Sequence, residues 1–131
     1  MRRFLLCFCT LCLLPAQAGE PIIEKISSSE KVTLEDHLEG SRFVIFDFYA
    51  DWCSPCRKWT PILERFAEKY PDQVALKKID IKSWGTPVAL QYNLNGIPHL
   101  RLLNAKGKTI RKGHPSRIMN FLEKKAKKDQ W

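Results

Sequence analysis

The sequence predicts an α/β domain in which a mixed β-sheet is flanked by helices on both faces. Residues 43–50, FVIFDFYA, form a near-continuous apolar run, which is typical of a central strand buried on both sides. Strand-like and helix-like segments alternate through most of the chain, in the order β-α-β-α-β-α-β-β-α. The last three elements are two short strands around a glycine-containing turn and a closing helix. At 131 residues, with 44% hydrophobic and 27% charged residues, the chain predicts one globular domain.

Each element has its own local signal. A cluster of three isoleucines within residues 20–29 indicates a short first strand, and Thr33 is placed to cap a short helix over residues 34–38. The strand over residues 43–50 follows Gly40. The next helix has an apolar stripe at the spacing of a 3.6-residue turn, made of Trp59, Ile62, Leu63, Phe66, Ala67 and Tyr70.

The second half continues the pattern. Residues 74–81 form a strand, residues 82–87 a loop and residues 88–92 a short helix. Strands over residues 99–103 and 108–111 flank a turn that contains Gly107. Pro115 opens the last helix, whose predicted apolar face consists of Ile118, Phe121, Leu122 and Ala126.

The first 18 residues have the three parts of a secretory signal peptide. Arg2 and Arg3 precede the eleven-residue apolar run 4–14, and Ala16-Gln17-Ala18 matches an A-x-A cleavage site. The run spans only about 16 Å as a helix, which is too short for a membrane anchor. We therefore expect residues 1–18 to be a signal peptide and residues 19–131 to be the mature domain. A bacterial origin would make the destination the periplasm.

Cleavage at this position changes both the cysteine count and the charge. It removes 18 of the 131 residues and leaves 113, with three of the five cysteines lost and only Cys53 and Cys56 kept. The loss of Arg2 and Arg3 lowers the formal charge from +8 to +6. An exported protein can keep a disulfide. No nucleic-acid motif accompanies the remaining positive charge, so we expect no nucleic-acid partner.

The two remaining cysteines form the motif Trp52-Cys53-Ser54-Pro55-Cys56, between the central strand and the long helix. At a helix N-terminus the backbone N–H groups and the helix dipole stabilise a thiolate, which is the nucleophile of thiol–disulfide exchange. A purely structural disulfide, a zinc site and a soft-metal site for Cu(I) are alternative interpretations of the pair. Haem attachment is excluded, because Arg57 stands where that motif requires histidine.

Residues 46–61, FDFYADWCSPCRKWTP, resemble the active-site segment of thioredoxin-like proteins. The stretch 92–98, YNLNGIP, is similar to the segment that leads into the family's cis-proline. The resemblance covers roughly residues 22–127 and implies the thioredoxin fold. It further implies a protein thiol:disulfide oxidoreductase that needs no cofactor and no resident metal.

The resemblance also implies roles for individual residues. Cys53 corresponds to the attacking nucleophile and Cys56 to the resolving thiol, with a redox disulfide between them. Asp47 corresponds to a buried carboxylate that exchanges a proton with Cys56. Pro98 corresponds to the cis-proline, beside which an extended substrate pairs. The expected substrate-binding residues are Trp52, Ile97, Pro98 and Gly113.

The sequence also gives expectations about the binding partners and about the direction of electron transfer. The partners are exported proteins that carry disulfides or dithiols, and the protein is expected to be a monomer. The Ser54-Pro55 dipeptide lacks the histidine of strongly oxidising relatives, which favours reduction over oxidation. A reducing role implies a membrane thiol relay as electron donor.

Three departures from the family pattern stand out. A longer stretch before Pro98 carries Trp84, which extends the partner surface or covers the core. His99 follows the proline, where a small hydroxyl residue is common, and we expect it to be packed and inert. Lys77 and Lys78 both remain candidates for the lysine near Asp47.

Overall fold

The structure is a computed structural model that describes residues 17–131, so most of the predicted signal peptide lies outside the described residues. The described chain contains five strands, three α-helices and one 3-10 turn. The strands are β1 (Ile23–Ser28), β2 (Phe43–Tyr49), β3 (Val74–Asp80), β4 (His99–Leu103) and β5 (Thr109–Gly113). The helices are α1 (Ser54–Lys69), α2 (Pro87–Gln91) and α3 (Pro115–Lys127), and the 3-10 turn is Leu34–His37.

The five strands form one mixed sheet in the order β1-β3-β2-β4-β5. The β1–β3 and β3–β2 pairs are parallel, whereas the β2–β4 and β4–β5 pairs are antiparallel. Parallel neighbours require crossover connections, which α1 supplies between β2 and β3. β2 is the middle strand of the sheet, as its continuous apolar sequence predicts.

The two faces of the sheet carry separate parts of the core. Alternate residues of β2 point to opposite faces: Val44, Phe46 and Phe48 pack with the 3-10 turn and α2. On the other face, Ile45 packs with α1 and α3 through a cluster that includes Leu63 and Ile118. The predicted mixed sheet with helices on both faces is confirmed.

The short helix predicted over residues 34–38 is a single 3-10 turn, Leu34–His37. The capping role predicted for Thr33 was wrong, because its side chain makes no capping hydrogen bond. Its carbonyl oxygen instead accepts from the Asp36 N–H at 3.2 Å.

The apolar faces of two helices also differ from prediction by single residues. In α1, Ile62 is exposed while Leu63, Phe66 and Ala67 are buried. In α3, Met119 takes a core position, whereas Phe121 is only partly buried. Residues one position from the centre of an apolar stripe lie at its margin, where periodicity alone does not determine burial.

Within residues 17–131, no helix combines the length and the apolar composition that a membrane span requires.

Candidate active site

The Cys53-Ser54-Pro55-Cys56 segment joins the end of β2 to the first turn of α1. Cys53 is the N-cap residue of α1, and its N–H donates to the Ala50 carbonyl oxygen at 3.1 Å. The Cys56 N–H points at Cys53 Sγ at 3.2 Å. Pro55 occupies the first turn, where its missing N–H costs no helical hydrogen bond. The local sequence therefore directs a free backbone N–H at the first sulfur of the motif.

The two cysteines form a disulfide, with their Cα atoms 5.2 Å apart. Both side chains are buried in the core cluster that also contains Phe46 and Phe48 of β2. The pair thus has the geometry of a CXXC redox site.

The segment before β4 meets the disulfide from a different part of the chain. The Ile97–Pro98 peptide bond is cis, and the Ile97 carbonyl oxygen lies 3.8 Å from Cys53 Sγ. Ile97 and Pro98 are both partly exposed. The structure therefore brings Cys53, Ile97 and Pro98 together, as the sequence resemblance implies.

Asp47 lies in the middle of β2 and is only 2% exposed. Burial raises the pKa of Asp47 to about 7, because desolvation penalises its charged form. The ammonium of Lys78 lowers this pKa and the carboxylate of Glu64 raises it, both to a smaller extent than burial. A carboxyl group with a pKa near 7 can both accept and return a proton at neutral pH.

The strand register distinguishes the two candidate lysines. Lys78 is the cross-strand neighbour of Asp47 and forms a 3.0 Å ion pair with Glu64 of α1. Lys77 points to the opposite face, where it is buried and pairs with Glu24 and Glu39. Lys78 is therefore the lysine beside Asp47, and Lys77 belongs to a separate ionic cluster.

Two exposed tryptophans meet on the surface, and one of them, Trp52, directly precedes Cys53. Trp52 is 53% exposed and Trp84 is 49% exposed, and their rings meet edge to face with centroids 6.0 Å apart. The Trp52 indole N–H donates to the Lys82 carbonyl oxygen at 2.6 Å. Trp84 therefore does not cover the core, and the longer loop instead holds Trp52 in place beside Cys53.

Gly113 and His99 lie on the adjoining strands. Gly113 ends β5 opposite Leu100, with a positive φ of 121° that favours glycine. The His99 ring packs edge-on against Phe48 at 5.9 Å. Burial lowers the pKa of His99, and the nearby charges of Arg101 and Lys112 lower it further. His99 is therefore neutral at neutral pH.

Within residues 17–131, no group of three or more histidine, cysteine or carboxylate side chains is arranged to hold a metal ion.

Sequence reasoning missed a basic cleft along β5, to which Arg101, Lys112 and Arg117 contribute. These residues come from β4, β5 and α3, and only the strand register brings the first two together. The signal in the sequence is a series of basic residues at positions 101, 111, 112 and 117.

The region that contains this site is similar to proteins of a known family. The family model described as Thioredoxin matches residues 25–128 of the chain. This chain belongs to the thioredoxin family. The matched range contains both cysteines, the cis-proline and Asp47.

Individual thioredoxins match over shorter stretches. The chain is 42% identical over 71 residues to a thioredoxin of Acidithiobacillus ferridurans, a match that covers 53% of this chain and 64% of that protein. It is also 42% identical over 71 residues to a Chlamydia trachomatis thioredoxin, covering 54% of this chain and 67% of that one. The chain thus spans about two thirds of the length of these curated relatives.

Solved structures match over more of the chain. The thioredoxin of Trichomonas vaginalis superposes with a TM-score of 0.63 and 32% identity, over 81% of this chain and 98% of that structure. The thioredoxin fold predicted from the sequence is confirmed.

Proposed function

We propose that this protein is an exported thiol:disulfide oxidoreductase that reduces disulfides of partner proteins through Cys53 and Cys56. The observation that carries the proposal is the placement of Cys53 at the N-cap of α1, 3.8 Å from the Ile97 carbonyl before a cis-proline. A thiolate at that position is stabilised by the helix N-terminus, and the adjacent backbone can pair with an extended substrate.

The proposed reaction begins with the reduced protein. The Cys53 thiolate attacks one sulfur of a substrate disulfide, which forms a mixed disulfide and releases the first substrate thiolate. Cys56 loses its proton to Asp47 and attacks Cys53 Sγ, which releases the second substrate thiolate. The protein ends with the Cys53–Cys56 disulfide and a protonated Asp47, and the substrate has gained two electrons as two thiolates. One thiolate takes the proton that Asp47 received from Cys56, and the other takes a proton from solvent, which replaces the one that Cys53 released when it ionised.

Asp47 suits the proton transfer because its pKa is raised by burial to about 7. An ordinary surface aspartate, with a pKa near 3.9, would be too weak a base at neutral pH. Lys78, its cross-strand neighbour, limits the cost of ionising it in the core.

Two features support the reducing direction. The dipeptide between the cysteines is Ser54-Pro55, without the histidine of strongly oxidising relatives. A solved structure with the same fold, at 23% identity, is described as a thioredoxin f2 in complex with ferredoxin:thioredoxin reductase. We propose by analogy that this chain also docks to an electron donor, which for an exported protein would be a membrane thiol relay.

Export is supported by the signal-peptide pattern of residues 1–18. The exported partners would be proteins that carry disulfides in the periplasm.

Reduction of insulin disulfides tests the activity. The wild-type protein should accelerate insulin reduction by dithiothreitol, and Cys53→Ser should reduce the rate to that of dithiothreitol alone. Equal rates for the two proteins would overturn the assignment. Far-UV circular dichroism of Cys53→Ser and reduced wild type confirms that both are folded before the rates are compared.

Expression of the full chain in a bacterium tests export. We expect a periplasmic protein whose intact mass corresponds to a start at Gly19. An uncleaved protein retained in the cytoplasm would contradict the export proposal without affecting the redox assignment. Metal analysis of the reduced protein addresses the Cu(I) alternative, which predicts stoichiometric copper and no insulin reduction.

A further inference from the structure

A strongly basic cleft of about 800 Å³ runs along β5, the edge strand that ends at Gly113. Four of its six lining residues are cationic and none is acidic: Arg101, Thr109, Ile110, Arg111, Lys112 and Arg117. The cleft therefore concentrates positive charge directly beside the proposed substrate groove.

These positive charges are not neutralised within the described part of the chain. None of the four cationic side chains forms a salt bridge with a carboxylate of residues 17–131. Arg101 and Lys112 are direct cross-strand neighbours, a pairing of like charges that destabilises a sheet. Arg101 Nε is buried without a hydrogen-bond partner in the same region. A bound anion would relieve the repulsion between Arg101 and Lys112.

The guanidinium groups are held in place by aromatic rings rather than by carboxylates. Arg101 lies 4.8 Å from the Tyr92 ring centroid, and Arg111 lies 4.7 Å from that of Phe121. Cation–π contacts fix the position of a guanidinium group but leave its net charge available. The cleft is therefore ordered before any ligand arrives.

Protection of the sheet edge does not account for the whole arrangement. Charged side chains on an edge strand discourage pairing with other chains, and Arg111 and Lys112 fit that role. Arg101, however, belongs to the inner strand β4, and Arg117 belongs to α3. Three elements thus contribute cations around this edge of the sheet, with Arg101 and Lys112 on one face and Arg111 on the other. This spread over both faces and three elements indicates a binding surface.

The cleft is within reach of a substrate held at the disulfide. A Cβ atom built on Gly113 would lie 3.9 Å from Arg117 Nη1, so the cleft adjoins the groove. Gly113 pairs with Leu100, which follows Ile97 by three residues, or at most about 10 Å of extended chain. An extended substrate at Ile97 would reach the cleft with residues at a similar distance from its own cysteine.

We infer that the cleft binds acidic side chains of protein substrates, located three to five residues from the cysteine that Cys53 attacks. This inference rests on the proposed function and adds a substrate preference to it. Exposed charges of one sign also speed the approach of oppositely charged partners, so the preference appears mainly in the second-order rate.

Single-turnover kinetics with matched peptides test the inference. Pre-reduced protein is mixed with a disulfide-linked dimer of a peptide that has one cysteine and three glutamates at positions three to five from it. The comparison dimer has glutamines in their place, and each type is made with the polar run before and after the cysteine. The reaction is quenched in acid and the released peptide thiol is quantified.

We expect the wild-type protein to reduce one glutamate dimer about tenfold faster than its glutamine counterpart at low salt. In the double variant Lys112→Gln/Arg117→Gln this ratio should fall below about threefold. The control Lys124→Gln/Lys128→Gln removes the same charge from exposed lysines near the other end of α3 and should keep the wild-type ratio. Added NaCl should lower the ratio, because salt screens exposed charges.

Each outcome separates the inference from the proposed function. Reduction of neither dimer would overturn the oxidoreductase assignment itself. Equal reduction of both dimers, or an unchanged ratio in the Lys112/Arg117 double variant, would overturn the acidic-substrate inference alone. Equal rates together with binding to phosphatidylglycerol vesicles that this variant loses would assign the cleft to an anionic membrane surface instead.

Discussion

Asp47 and Asp80 are both almost completely buried in the same sheet, yet their pKa values change in opposite directions. Asp47 is 2% exposed and Asp80 is 1% exposed. Burial raises the pKa of Asp47 to about 7. Burial also acts to raise the pKa of Asp80, but hydrogen bonds from Lys82 and Lys25 outweigh it and leave this pKa below its usual value.

The difference between them lies in their partners. Asp80 accepts from the Lys82 N–H at 2.9 Å and lies 3.0 Å and 3.4 Å from the ammonium groups of Lys82 and Lys25. The lysine beside Asp47, Lys78, is shared with Glu64. Burial alone therefore does not make a reactive carboxyl group. An incompletely compensated carboxylate is suited to proton transfer, whereas a fully partnered one stabilises structure.

The largest expected effect concerns the stability of Asp47→Asn. The native pKa of about 7 exceeds the ordinary value of 3.8 by about three units. Wild-type stability therefore falls between about pH 4 and pH 7, by about 4 kcal/mol in all, because the native state binds the proton more tightly. Asp47→Asn should lack this pH dependence and be more stable at pH 8 by up to about 4 kcal/mol.

Urea unfolding of the oxidised proteins at pH 4, 6 and 8 measures this effect. Asp51→Asn is the matched control, because Asp51 is an exposed aspartate four residues after Asp47 and just beyond the end of β2. It should follow the wild-type protein at every pH. Equal stability of Asp47→Asn and wild type at pH 8 would show that Asp47 is not held at a raised pKa.

The next largest effect is kinetic. At pH 7, Asp47→Asn should slow release of the substrate from the mixed disulfide by ~100-fold, the lower end of what a positioned general base contributes. Formation of the mixed disulfide by Cys53 should change far less. Stopped-flow single turnovers resolve the two steps, with Asp51→Asn again as the control. A variant that slows both steps equally would argue against proton transfer from Cys56.

The same substitution at Asp80 should have the opposite sign. Asp80→Asn should destabilise the protein at pH 7 by about 1 kcal/mol, since it weakens charge-assisted hydrogen bonds. The lowered pKa of Asp80 means that its stabilisation is present above about pH 4 and is lost as the pH falls further. Urea unfolding at pH 7 and pH 2.5 should show the difference between variant and wild type disappearing with acid. A persistent difference at low pH would indicate a packing effect.

The smallest expected effects show how neighbouring charges change the pKa of Asp47. Lys78→Met should raise the pKa of Asp47 further, and Glu64→Gln should lower it, because these two charges act on it with opposite signs. Both changes should be smaller than the effect of burial. Infrared or NMR titration of the Asp47 carboxyl group measures them, with the exposed Lys69→Met as control. Changes in the same direction for both variants would contradict the electrostatic account.

The sequence alone predicts part of the contrast between the two aspartates and their surroundings. The rest depends on strand register, which the sequence does not determine. The apolar run around Asp47 predicts a buried carboxylate, since few other arrangements place a charge in such a strand. The sequence alone could not decide whether Lys77 or Lys78 lies beside Asp47, because a register change of one residue moves a side chain to the opposite face of the sheet. The cleft around Arg101 and Lys112 was missed for the same reason, since strand pairing brings these residues together.

The roles of the two cysteines are the central claim, and trapping of the mixed disulfide tests them most directly. Reduced Cys56→Ser is mixed with a disulfide-linked peptide dimer, and intact mass spectrometry measures the adduct over time. The account predicts a stable adduct of one peptide on Cys53, with no comparable adduct on Cys56 in Cys53→Ser. Absence of an adduct on Cys56→Ser, or its rapid formation on Cys53→Ser instead, would contradict the assignment of Cys53 as the attacking thiol.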